Sequence, residues 1–195
     1  LKVPLKTKAP APVAKPSNVA KKPKKMADLR TNKLPRGARQ MQGDVEKYAR
    51  KHKLDPALVY AVIETESAYN PMAKSPIPAY GLMQIVPKSA GIDATQMLFG
   101  KGKVLSPSYL YTSDKNIEVG TAYLHILLNR YLKGVKNPTS RLYCSIAAYN
   151  TGAGNVSKAF RGDYKIRKAL PIINSMEPQE VYDHLIKNLS LIHIS

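Results

Sequence analysis

The sequence predicts a mainly α-helical globular domain preceded by a disordered basic tail rich in proline and lysine. Three observations predict it. From about residue 42 onward, apolar residues recur at spacings of three and four, with short breaks between the runs. Alternation of Val, Ile and Thr over strand lengths is rare. The stretch from Leu1 to Lys25 is dominated by Lys, Pro, Ala and Val, as in Ala9-Pro10-Ala11-Pro12 and Lys21-Lys22-Pro23-Lys24-Lys25. Prolines remove backbone donors and like charges repel, so no core can form there.

Taken in order, residues 1–35 read as a flexible linker or tail and residues 36–188 as the folded domain. Residues 189–195 read as a truncation or a foreign tail. Residues 44–52 suit a short basic helix. Asp55-Pro56 suits an N-cap followed by proline at the first helical position, and that helix runs to about Ser67, stopping before Asn70-Pro71. The region 71–112 is rich in Pro, Gly and Ser and predicts only short helices, near 87–91 for example. Ser113 or Asp114 can cap a long amphipathic helix to about Leu132, with Ile117, Ala122, Tyr123, Leu124, Leu127, Leu128 and Tyr131 at its apolar positions. Another helix is expected from Pro138 to Ala148, and shorter ones near 154–160, 163–174 and 178–187. No internal repeat is evident.

Charge narrows the class of partner. The net charge is +18, and residues 1–35, with ten Lys or Arg and one Asp, carry half of it. Such a balance favours polyanionic partners: nucleic acid, an anionic membrane surface or an acidic cell-wall polymer. The tail is read as a solvating linker, with an electrostatic tether to an anionic surface as the sharper alternative. No apolar run reaches the roughly 18 residues expected of a membrane helix, and no signal-peptide core is visible. The chain opens on Leu1, as expected of a fragment or processed form. A single cysteine, Cys144, excludes an intrachain disulfide framework and reads as a buried core thiol.

One carboxylate lies on an apolar stripe. Val59, Val62, Ile63 and Glu66 fall at i, i+3, i+4 and i+7 of the helix from Pro56, a single face. Glu64 points the opposite way. A carboxyl among aliphatic side chains is poorly solvated, which raises its pKa and lets it donate a proton near neutrality. On periodicity alone, a glutamate whose head escapes to water at the helix end remains an alternative.

Around Glu66-Ser67 stand Asn70-Pro71, Ser75, Gly81-Leu82-Met83-Gln84 and Ala148-Tyr149-Asn150, followed by Gly152 and Gly154. In this order and spacing, over about residues 40–185, the chain resembles the lytic transglycosylases of the SLT, goose-lysozyme-like type, with the membrane-bound murein enzymes as its nearest branch. The resemblance implies a lysozyme-like helical domain. It also implies roles, residue by residue. Glu66 matches the single catalytic acid and base. Ser75 matches a serine that orients the substrate's N-acetyl group. Met83 and Gln84 match residues lining the sugar cleft, although Met83 also suits a core position and Gln84 a loop amide. Tyr149 matches a tyrosine beside the catalytic glutamate, and Asn150 an orienting asparagine. Ser67 reads as a structural hydroxyl, and Gly152 and Gly154 as turn devices.

Two departures from the family stand out. Tyr80, after Pro76-Ile77-Pro78, replaces a small residue before the Gly-Leu-Met-Gln run and is a candidate for stacking on a sugar. The ending Leu189-Ser190-Leu191-Ile192-His193-Ile194-Ser195 matches no tyrosine-containing cleft segment of the family.

The resemblance implies cleavage of the β-1,4 bond between N-acetylmuramic acid and N-acetylglucosamine with formation of 1,6-anhydromuramic ends. The partner is the peptidoglycan glycan strand, met by a monomer in the bacterial periplasm or on the periplasmic face of the outer membrane. No cofactor and no metal is expected, since His52, His125, His184 and His193 are scattered. No nucleic-acid contact is expected, for want of a recognised module. The alternatives are a goose-type lysozyme that hydrolyses the same bond and an inactive peptidoglycan-binding module.

Overall fold

The computed structural model describes residues 34–192, with side chains to Leu189. The expected basic tail falls on residues 1–33, and these, like residues 193–195, lie outside the described residues. The folded unit begins at Leu34. Ten helices make it up among the described residues: α1 Arg36–Gln40, α2 Gln42–His52, α3 Pro56–Ser67, α4 Ala90–Phe99, α5 Pro107–Leu110, α6 Ser113–Ile126, α7 Pro138–Thr151, α8 Ala153–Arg161, α9 Ile166–Ser175 and α10 Pro178–Ile192. Extended pairing among the described residues is limited to the isolated bridges Lys74–Tyr80 and Tyr80–Ile85.

Two of the helix starts follow directly from local chemistry. The Asp55 side chain accepts the Ala57 N–H at 2.9 Å, with Pro56 in the first turn. At α7, Asn137 accepts from Thr139 N and Ser140 N ahead of Pro138. Each side chain satisfies donors that the first turn leaves orphaned, while proline gives up an N–H that had no partner.

Of the elements that differ from the sequence reading, two bear on the surroundings of the site. Residues 87–89 form a turn, and the ten-residue α4 follows where only short helices were expected. Its inner face is small, with Ala90, Gly91, Ala94 and Thr95 buried, so it carries little hydrophobic periodicity. Thr95 Oγ1 donates to Gly91 O and accepts the Lys103 N–H at 2.8 Å, tying the following loop to the helix. The long helix expected to Leu132 is α6 only to Ile126; Leu127–Tyr131 then widen into a π-helical turn, closed by Leu132 N–H to Leu127 O at 2.9 Å. That extra residue keeps both Leu127 and Leu132 fully buried and turns Tyr131 toward α4.

The core gathers α2, α3, α6 and α7, with Val59, Ile63, Ile117, Leu124, Cys144 and Ala148 fully buried. α6 runs through its middle with most of its residues buried. Burial pushes the Cys144 thiol up to about 12, which makes it an inert core group. No described helix is long and apolar enough to cross a membrane.

Candidate active site

α3 places Glu66 in its last turn. Val59, Val62 and Ile63, on the same stripe, are buried; Glu66 is half-buried and Glu64 exposed. Loss of water around the carboxyl pushes Glu66 above the ordinary glutamate value, and desolvation is the only cause at work. Directly behind it the chain turns sharply: Ala68 and Tyr69 both adopt left-handed backbone, at φ 48° and 66°. Consecutive non-glycine residues there carry strain, which packing must hold in place. Ser67 Oγ donates to Ile63 O at 3.0 Å, a structural bond at the helix end.

The loop after α3 folds on itself. Ser75 N–H bonds to Ala79 O at 3.2 Å, and Ser75 Oγ donates to Ile77 O. Gly81 N–H closes onto Ala73 O at 2.8 Å. Gln84 sits at φ 46°, and its Nε2 donates to Ala73 O and Gly81 O at 3.0 and 2.9 Å. Its amide nitrogen therefore braces the loop from inside. Met83 departs from the cleft-lining expectation. It is fully buried, and its sulfur lies where a Cβ on Gly120 of α6 would come within 2.3 Å. α6 opens a hole at Gly120 and the thioether fills it, so Met83 is a core side chain. Tyr80 is half-buried, its ring edge-on to Tyr111 with centroids 5.8 Å apart.

Tyr149, near the end of α7, is bonded to this loop and lies within electrostatic reach of Glu66. Its hydroxyl donates to Met83 O at 2.7 Å. Burial pushes its phenol well above the ordinary tyrosine value, and the Glu66 charge adds to the effect. The phenol thus feels the carboxylate across the site, and a negative Tyr149 is disfavoured beside it. Asn150 is exposed at the end of the helix, and Gly152, at φ 90°, turns the chain into α8.

The most consequential polar residue is one the sequence reading passed over. Asn116 of α6 is fully buried. Its Oδ1 accepts the Met83 N–H at 2.8 Å, and its Nδ2 donates to Tyr80 O at 2.8 Å and Leu110 O at 2.7 Å. One amide therefore satisfies three backbone groups and clamps the loop that receives Tyr149. Gly81, at φ 79°, has no room for a side chain: a Cβ would meet Leu110 O at 2.3 Å. A faint signal existed, because Asn116 shares a helical face with Gly120, Tyr123 and Leu127, where a polar residue needs a buried partner. Also unforeseen were Tyr123, whose ring lies 5.6 Å from that of Tyr149, and Asp93, which accepts the Tyr131 hydroxyl at 2.8 Å. Among the described residues no three His, Cys, Asp or Glu side chains stand together as metal ligands would.

Comparison with known proteins agrees with this architecture. The family described as the transglycosylase SLT domain matches residues 44–171, more than half of the chain. The chain is 46% identical over 154 residues to the membrane-bound lytic murein transglycosylase C of Sodalis glossinidius, covering 79% of this chain and 42% of that protein. It is 46% identical over 158 residues to the protein of the same name from Klebsiella pneumoniae, covering 81% and 43%. It thus spans less than half the length of these relatives. Among solved structures, an inactive glutamate-to-glutamine mutant of the lytic transglycosylase Slt from Pseudomonas aeruginosa superimposes with a TM-score of 0.51 at 24% identity. That alignment covers 74% of this chain and 22% of that one, and it speaks to the fold. With this helical architecture and that match across most of the folded unit, the chain belongs to the transglycosylase SLT domain family.

Proposed function

We propose that this chain is a peptidoglycan lytic transglycosylase with Glu66 as its single catalytic acid and base. The observation that carries the reading is a carboxyl half-buried at the end of an apolar stripe and desolvated above the ordinary glutamate value, with the half-buried Tyr149 within reach of its charge. Protonated Glu66 donates to the glycosidic oxygen between N-acetylmuramic acid and N-acetylglucosamine as that bond breaks. Among the described residues, neither Glu64 nor Asp93 serves as the second carboxylate that most glycosidases use: Glu64 is exposed on the far side of α3 and Asp93 is bound to Tyr131. The substrate's own acetamido oxygen can occupy the anomeric carbon instead. Ionised Glu66 then takes the proton of the muramic 6-hydroxyl, whose oxygen closes the 1,6-anhydro ring and expels the acetamido oxygen. Closure within one molecule has a large entropic advantage over attack by water.

In this reading Tyr149 and the loop from Ser75 to Gln84 form the wall beside the acid. Gln84 and Ser75 shape that wall through their loop bonds, Met83 through its backbone carbonyl, and Asn150 offers an exposed amide at the rim. The enzyme acts as a monomer on glycan strands at the periplasmic face of the cell envelope. This placement rests on the relatives named as membrane-bound murein transglycosylases. The basic segment before Leu34 supplies contact with an anionic surface. The test is digestion of purified sacculi followed by mass spectrometry. Anhydro-ended fragments are expected, and Glu66→Gln should release none while melting as a folded protein. Reducing ends would make the chain a hydrolase, and near-native release by Glu66→Gln would remove Glu66 from the mechanism.

A further inference from the structure

One cavity of about 340 Å³ lies a single ring away from Tyr149 and has no part in the chemistry above. Tyr123 forms the shared wall: its ring touches Tyr149 on one side and lines the cavity on the other. Around it stand Asp93, Tyr131, Gly154, Tyr164 and Ile166. Tyr164 is 63% exposed, and its ring leans over Gly154, where a Cβ would come within 3.2 Å of it. The polar groups of the cavity are unbalanced. The Tyr131 hydroxyl spends its hydrogen on Asp93 Oδ2, and Asp93 has no cationic partner among the described residues. This is notable in a chain of net charge +18, where the nearby Asp163 takes both Arg161 and Lys168. Two cations act on its rings: Lys158 lies over the Tyr164 ring, 5.4 Å from the centroid, and Arg130 adjoins Tyr131 in sequence.

A carboxylate with free lone pairs, framed by three phenol rings and an aliphatic side chain, complements a cation on an apolar stem. An ammonium supplies three donors and no acceptor, and aromatic faces attract it. We propose that this cavity is a second ligand site that takes an alkylammonium group on Asp93 between Tyr123, Tyr131 and Tyr164. Resting on the peptidoglycan reading above, that group is the free side-chain amine of a diamino acid in the stem peptide of the strand being cleaved. The site makes the enzyme select strands by whether that amine is free or acylated, a choice made one ring away from the reacting bond.

The test has two arms, each on the full chain. In the first, pentylammonium is titrated and the tyrosine resonances are followed by NMR, with pentanol as the neutral control. Saturable shifts at Tyr123, Tyr131 and Tyr164 are expected with pentylammonium alone, weakened at least about tenfold by Asp93→Asn, since a charge-assisted bond is lost. Tyr164→Ala, which alters an exposed ring and leaves the fold intact, should weaken binding severalfold if Asp93→Asn proves too unstable to titrate. In the second, release is compared between sacculi with free and with N-acetylated stem amines. Acetylation should raise KM for the native chain and leave that of Asp93→Asn unchanged. Equal binding of pentanol, native-like binding by both variants, or shifts of the same resonances by a neutral chitooligosaccharide alone would overturn the proposal. Failure of release from every substrate with pentylammonium binding intact would instead overturn the peptidoglycan reading.

Discussion

Asn116→Ala is the substitution whose cost can be worked most directly from the structure. The amide holds Met83 N–H, Tyr80 O and Leu110 O at 2.7 to 2.8 Å, and the bonds to Met83 and Leu110 are wholly buried. Alanine removes all three bonds and leaves no polar atom in their place. A buried group stripped of its partner costs about 1–3 kcal/mol. With two deep orphans and a third that reaches water more easily, the loss comes to about 5 kcal/mol. That is a large share of the roughly 5–15 kcal/mol by which a domain of this kind is stable. Aspartate should be no better: it keeps an acceptor for Met83 N–H but sets oxygen lone pairs against the Tyr80 and Leu110 carbonyls. Urea unfolding followed by far-ultraviolet circular dichroism measures the loss, and fragment release from sacculi per folded molecule measures its effect on the site. A loss below about 1 kcal/mol with unchanged release would refute the idea that Asn116 holds the loop.

Other expectations are smaller or of different sign. Tyr149→Phe deletes the bond to Met83 O and should cost about 1–2 kcal/mol by the same unfolding assay, with kcat falling more than KM rises; a variant kinetically identical to native would free the phenol of any role. Glu66→Gln should change stability with pH. The folded carboxyl binds its proton more tightly than the unfolded one, so native stability is greatest below the ordinary value of 4.5 and declines as pH rises through the raised folded value. The glutamine variant lacks that decline, and melting should find it at least as stable as native at pH 7, with the gap closing at pH 4; a glutamine variant that melts lower at pH 7 contradicts the desolvation argument. Glu64→Gln, on the exposed side of α3, should release fragments at the native rate, and a loss comparable to that of Glu66→Gln would move the acid to position 64.

Local chemistry, written in neighbouring residues, was readable from the chain alone. The period of 3.6 put Glu66 in line with Val59, Val62 and Ile63, and the structure shows them buried together with Glu66 half-buried at their end. Asp55-Pro56 marked a helix start because capping needs only the next three residues, and Pro138 opens the helix expected from it. The Ser67 hydroxyl turned to the helix backbone for the same reason. What tertiary structure decided is where loop side chains point and which distant groups meet. Met83 is core because Gly120, far along the chain, leaves a hole for its sulfur. The Gln84 amide faces its own loop because a left-handed backbone turns it there. Asn116 reaches Met83 and Tyr80, and Tyr131 reaches Asp93, across more than thirty residues of chain. α4 escaped notice because a face of Ala, Gly and Thr buries well yet carries no apolar rhythm. A periodic pattern reports which face of one helix is turned inward; a hydrogen bond across the fold depends on the placement of two helices, and no single segment encodes that.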